Sequence, residues 1–222
     1  GEEYAARLGE PLNAEHTARA WRTALDPDGE WMPAVIKAAD TRLNQLRAGG
    51  IPDAGGMVIA SDQTAARAYA ELLRKLTGEA ATVVLSDDPG SSDRIGQFSD
   101  STSKWLVAVR MVSEGVDVPR LAVGVYATSA STPLFFAQAV GRFVRSRAAG
   151  ETASIFLPSV PTLLQLASEL EEQRNHVLGK PHRETLDDDA PVERRRTEPS
   201  EADTGFQSLG ADAELDQVIF DG

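Results

Sequence analysis

The sequence has no cysteine, so disulfides and thiolate metal sites are excluded, and a reducing, cytoplasmic setting is expected. Its three histidines, His16, His176 and His182, offer no metal-ligand spacing. No apolar run approaches the ~18 residues of a membrane span, and no charged-then-apolar leader opens the chain. We therefore expect neither a membrane segment nor a signal peptide. A first residue of Gly1 rather than methionine carries the expectation of a fragment or a cleaved chain. Also missing is a G-x-x-x-x-G-K-[ST] loop, since the lone "LGKP" at 178–181 lacks both the glycine spacing and the hydroxyl. No Asp-Glu-x-Asp/His strand end occurs either.

What is present suffices for a full core: 222 residues, of which 41% are hydrophobic. One domain with flanking elements is the expectation. The net charge of −12 is unevenly spread. Residues 57–157 carry 10 basic and 10 acidic side chains, whereas residues 158–222 carry 6 and 15. The acidity thus belongs mainly to the tail, and a neutral middle can still present a local basic surface to nucleic acid.

Two helices are expected over 12–26 and 31–48, the second from the spacing of Val35, Ile36, Leu43 and Leu46 and from the stop at Gly49-Gly50. "GIPDAGG" reads as a turn-rich link. Five short apolar runs follow: "MVIA" (57–60), "ATVVLS" (81–86), "KWLVAV" (104–109), "LAVGVYAT" (121–128) and "ASIFLP" (153–158). Between them lie "SDQTAARAYAELLRKLTG", with Ser61 or Asp62 as N-cap and Gly78 as stop, a short helical "DRIGQFSD", and a helix entered at Pro133. Continuous apolar strands alternating with helices argue for an α/β domain, a parallel sheet covered on both faces. An amphipathic helix ending at Gly179 closes the domain. The charged, Pro-rich stretch after it, holding "DDD" (187–189) and "ERRR" (193–196), reads as a linker or disordered segment. A short docked element is expected from Phe206 to Phe220. The expected division is 1–50 N-terminal helices, 51–178 the α/β domain, and 179–222 an acidic tail.

Ligands of an open parallel sheet bind beyond the carboxyl ends of its strands. Three segments occupy such ends: "SDQT", "EGVDVP" and "QAVGR". Gly115 permits unusual backbone angles and close approach, and Asp117 is a short acceptor suited to a sugar hydroxyl. Arg142 and Arg145, one helical turn apart, could both reach a polyphosphate. Taken singly, a Gly-x-Asp turn is ordinary turn chemistry, and arginines at i and i+3 ordinarily form a solvated stripe.

Taken in order, these segments resemble motifs of superfamily 2 DEAD/DEAH-type helicases and translocases. "MVIASDQTAARAYAELL" is similar to motif IV. Glu114, Gly115, Asp117 and Pro119 match the Glu-Gly-x-Asp-x-Pro form of motif V, and Gln138, Gly141, Arg142 and Arg145 match Gln-x-x-Gly-Arg-x-x-Arg of motif VI. The resemblance covers about residues 56–160. It implies the C-terminal, second RecA-like domain of a two-domain motor: a three-layer α/β unit with a mostly parallel sheet. ATP would lie between the domains, with Mg2+ held by the N-terminal RecA-like domain of the same protein. Arg145 would be the arginine finger, worth about 10³–10⁵ in rate where such a residue has been measured. Arg142 would be its neighbour at the phosphates, and Gln138 a γ-phosphate sensor. Glu114, Gly115, Asp117 and Gly141 would lie at the nucleotide, with Asp117 near the ribose.

The resemblance also implies a nucleic-acid track, for which Ser61, Gln63, Ser86, Ser113 and Thr128 are the candidates near strand ends. Val109 stands where many relatives have a threonine that holds a phosphate, so Ser113 or backbone N–H groups of 110–113 would replace it. Gln138 and Glu114 lean toward DEAH-like or restriction-enzyme-like motors, and so toward DNA over RNA. Lacking a phosphate loop and a magnesium carboxylate, the chain alone would hold half an ATPase site and turn over no ATP. The alternative is a non-catalytic RecA-like scaffold whose acidic tail docks a protein; separately, the tail could be a linker to another domain or an acidic mimic that occupies the nucleic-acid face.

Overall fold

The computed structural model describes residues 14–85, 89–109, 118–143, 152–178, 207–208 and 215–221. Sequence and structure agree on the alternation of elements. Helices α1 (Ala14–Ala24) and α2 (Trp31–Ala48) lead into strand β1 (Gly55–Ala60). Then come α3 (Gln63–Thr77), β2 (Thr82–Val84), α4 (Ser91–Ser99), β3 (Trp105–Val109) and β4 (Leu121–Ala127). The chain continues through α5 (Pro133–Gly141), β5 (Thr152–Pro158) and α6 (Pro161–Leu178) to β6 (Gln207–Ser208) and β7 (Leu215–Asp221).

The strands form one sheet in the order β2-β3-β1-β4-β5-β7-β6. The first five are mutually parallel, while β7 pairs antiparallel with β5 and β6 antiparallel with β7. Side chains alternate across a strand, so each central strand feeds two cores. Val58, Ala60, Val107, Val109, Val123 and Val125 pack with Met32, Ile36, Leu43, Tyr69 and Leu73 of α2 and α3. Met57, Ile59, Leu106, Ala108 and Tyr126 pack with Phe98, Phe136, Val140 and Leu163 from α4, α5 and α6. This is the expected three-layer α/β arrangement, and burial on both faces explains why the strands read as unbroken apolar runs.

Helix α3 shows how local sequence sets its own limits. Asp62, in extended conformation, is the N-cap, and its side chain accepts from the Ala65 N–H at 2.8 Å. Gly78 closes the helix at φ +77, a left-handed conformation that costs glycine least. Asp62→Ala is expected to lower stability by about 1 kcal/mol, read by denaturant unfolding, because one helix N–H loses its acceptor. Near this cap the Tyr69 hydroxyl donates to the Leu25 carbonyl at 2.6 Å. Burial, then the nearby charges of Asp62 and Asp26, push the Tyr69 pKa well above the usual tyrosine range, so it stays a neutral donor.

Helix α2 packs with α3 in one layer on the sheet. Met32, Val35, Ile36, Ala39 and Leu43 are buried in it. Three polar ties fix its position. The Trp105 indole N–H donates to Asp40 at 2.9 Å, Arg42 Nε donates to Ser154 Oγ at 3.0 Å, and Arg47 reaches the carbonyls of Ala54 and Thr102. Strand β7 runs antiparallel to β5, in register from Thr152↔Asp221 to Pro158↔Leu215. The linker, with its "DDD" and "ERRR" runs, lies outside the described residues.

Candidate functional site

Strands β3, β1 and β4 are consecutive neighbours in the middle of the sheet. Their register aligns Val109, Ala60 and Ala127 across the carboxyl edge. Ala60 leads into "SDQT" at the head of α3, and Ala127 leads into α5, which carries Gln138 and Gly141, so the strand ends that precede two of the motifs are adjacent; Glu114, Gly115 and Asp117 lie outside the described residues. Sheet order accomplishes this, because β2 lies outside β3 and the chain returns to place β4 on the far side of β1.

The same edge holds a topological switch point. After β1 the chain enters α3, which packs on one face through Ala66, Tyr69 and Leu73. After β4 it enters α5, which packs on the opposite face through Phe136, Ala139 and Val140. Adjacent strands whose onward helices diverge to opposite faces leave a crevice between their ends, where ligands of open α/β sheets bind.

On α5, Phe136, Ala139 and Val140 are buried, while Gln138 and Gly141 are exposed and Arg142 is half-buried. A side chain at Gly141 would meet no described atom within 4 Å, and its φ is not positive. Neither crowding nor backbone strain within the described residues therefore accounts for a glycine there. Arg142 is the C-cap of α5, its N–H directed to the Ala139 and Val140 carbonyls.

At the head of α3, Ser61 and Gln63 are half-buried and flank the capping Asp62, which takes the cap that sequence divided between Ser61 and Asp62. Thr128, offered by sequence as a nucleic-acid contact, is buried at 1% exposure, and its Oγ1 accepts from the Ala130 N–H at 3.3 Å. In this conformation its hydroxyl braces the turn into α5. Arg145, Glu114, Gly115, Asp117, Ser86 and Ser113 lie outside the described residues. Among the described residues no group of three His, Asp or Glu side chains could hold a metal ion, and no helix is long and apolar enough to cross a membrane.

Sequence reasoning passed over Arg120, which is 4% exposed. Its guanidinium donates to the carbonyls of Phe98 and Asp53 and lies 4.0 Å from the centre of the Phe98 ring. It sits at the start of β4, directly after the motif residue Pro119, and joins α4 to the segment that enters β1. Its position directly after Pro119 read as a loop end; only the following strand start hinted at enclosure.

No family model matches the chain. It is 76% identical over 226 residues to "Uncharacterized protein Rv2917" of Mycobacterium tuberculosis, which covers all of this chain and 37% of that protein. It is 73% identical over 225 residues to "Uncharacterized protein ML1624" of Mycobacterium leprae, covering all of this chain and 38% of that one. The chain thus spans little more than a third of the length of the curated relatives it matches. Among solved structures it is similar to domain 2 of the DEAD-box helicase Mss116p bound to an RNA duplex. That match has a TM-score of 0.48 at 16% identity, over 65% of this chain and 57% of that one. T4 UvsW matches with a TM-score of 0.46 at 16% identity, over 77% and 36%. The helicase domain of Pyrococcus furiosus Hef matches with a TM-score of 0.41 at 19% identity, over 51% and 23%.

Proposed function

We propose that this chain is the C-terminal RecA-like domain of an ATP-dependent nucleic-acid helicase or translocase. The observation that supports the reading is that the neighbouring carboxyl ends of β1 and β4 lead, at a switch point, into "SDQT" and into α5 with its Gln138, Gly141 and Arg142. On α5 the motif residues Gln138 and Gly141 are exposed, and a side chain at Gly141 would meet no described atom within 4 Å. The Arg142 guanidinium carries only N–H donors, which fit phosphate oxygens and do not fit a metal ion, and the Gln138 amide can add a further N–H donor. ATP is thus bound between this edge and a second RecA-like domain, whose carboxylates hold Mg2+. Arg145 reaches the γ-phosphate from this side, Arg142 and Gln138 support it, and Glu114, Gly115 and Asp117 border the nucleotide. Nucleic acid, DNA before RNA, runs across the ends of β1, β2, β3 and β4, held chiefly through phosphate and so with little regard to base sequence.

The test is ATP hydrolysis by the intact protein that carries this chain, with and without single- and double-stranded DNA and RNA. Stimulation by nucleic acid that weakens steeply with salt is the expected result. A rate indifferent to every nucleic acid would overturn the reading and leave the scaffold alternative.

A further inference from the structure

We propose that Gly124, in the middle of β4, is a positioning residue for Arg142: by having no side chain it gives the Phe143 ring a seat on the sheet. The proposal rests on the reading of α5 as the phosphate-facing helix and adds the device that sets where this helix ends.

A Cβ built on Gly124 would stand 2.7, 2.8 and 3.0 Å from three atoms at the tip of the Phe143 ring. The ring therefore lies directly on the β4 backbone. Phe143 is 3% exposed and belongs to the core formed with Tyr126, Phe136, Val140 and Ile155. Its backbone N–H donates to the Val140 carbonyl at 3.0 Å, and the Arg142 N–H to the Ala139 carbonyl at 3.3 Å. Arg142 is thus the residue between a helix that packs on the sheet and an aromatic ring clamped to it.

The other end of α5 is held from the same strand. Tyr126, two residues after Gly124 on the same face, stacks edge-on against Phe135 and Phe136, with ring centres 6.1 and 5.5 Å apart. Its hydroxyl donates to the Ala130 carbonyl in the turn that enters the helix. With both ends tied to β4, α5 has little freedom to slide, and the place of Arg142 is set by how deeply Phe143 seats.

A methyl at position 124 removes that seat. Carbon atoms in contact prefer about 3.5–4.0 Å, so the ring tip must withdraw by roughly 1 Å. A displacement of about 1 Å at a group that orients reactants costs on the order of 10²-fold in rate.

The experiment compares Gly124→Ala and Phe143→Leu with the unaltered protein, well below their unfolding temperatures. In the intact protein, nucleic-acid-stimulated ATP hydrolysis is expected to fall about 10²-fold in kcat, with KM for ATP changed by less than about twofold. In this chain, the Arg142 Nε–H resonance is expected to move in both variants. An unchanged kcat in folded variants, or a KM that rises while kcat holds, would overturn the proposal. Should the intact protein hydrolyse no ATP, the functional reading fails by itself. The Arg142 resonance then decides the seat separately, and an unmoved signal in both variants would overturn it.

Discussion

Arg120→Ala is expected to lower stability by about 3–5 kcal/mol, measured by denaturant unfolding with the slope unchanged. Arg120 is 4% exposed, its guanidinium donates to the Phe98 and Asp53 carbonyls, and the Phe98 ring lies beneath it. Truncation leaves at least two carbonyls without this donor, each worth about 1–3 kcal/mol if water does not replace it. It also removes the guanidinium that fills the space beside Gly55, where a Cβ would come within 2.9 Å of Arg120 Nη1. Since whole domains are stable by about 5–15 kcal/mol, the loss is a large share of the total. Lysine should recover little of it, because one ammonium cannot place donors on both Phe98 and Asp53 as the planar fork does. Full recovery by Arg120→Lys would mean that charge alone, and not the fork, matters here.

Gly56→Val should be at least as damaging, and the chain is expected to fold poorly or not at all. The first added carbon would stand 2.4 Å from Trp105 Cζ3, with two further ring atoms at 2.7 Å. Trp105 cannot retreat easily, being 2% exposed with its indole N–H bound to Asp40 of α2. Either the indole leaves that bond and pushes on α2, or β1 moves away from β3, to which it is paired at this residue. Overpacking of this kind costs about 1–3 kcal/mol for one methylene, and valine adds three carbons at an already overfull point. Loss of soluble, cooperatively unfolding protein is the expected readout. A variant with near-native unfolding would show that the indole has room to move.

These two residues also mark where sequence reading stops. Val58, Val107 and Val125 advertise their strands, because burial on both faces demands apolar residues without interruption. Asp62 and Gly78 bracket α3 through local chemistry that needs no tertiary partner. The glycines of "GIPDAGG" are different. They read as turn formers, yet Gly55 and Gly56 begin β1 at ordinary φ, small because Arg120 and Trp105 fill the space beside them. A glycine required by its neighbours' bulk looks, in one dimension, like a glycine required by its own backbone. Arg120 was hidden for the same reason: its partners lie 22 and 67 residues away. At the candidate site, the Gln138–Arg142 spacing was legible as a motif on a helix. That its helix leaves from beside β1 follows only from strand order. Thr128 shows the limit again, since a hydroxyl at a strand end reads alike whether it meets a ligand or, as here, the Ala130 N–H.

The antiparallel strand β7 has a consequence for solution behaviour. Without it, β5 would end the parallel sheet with a row of unpaired N–H and C=O groups, an invitation to aggregation with other copies. Residues 215–221 occupy that row from Thr152 to Pro158, so β7 shields the β5 edge from pairing with other copies.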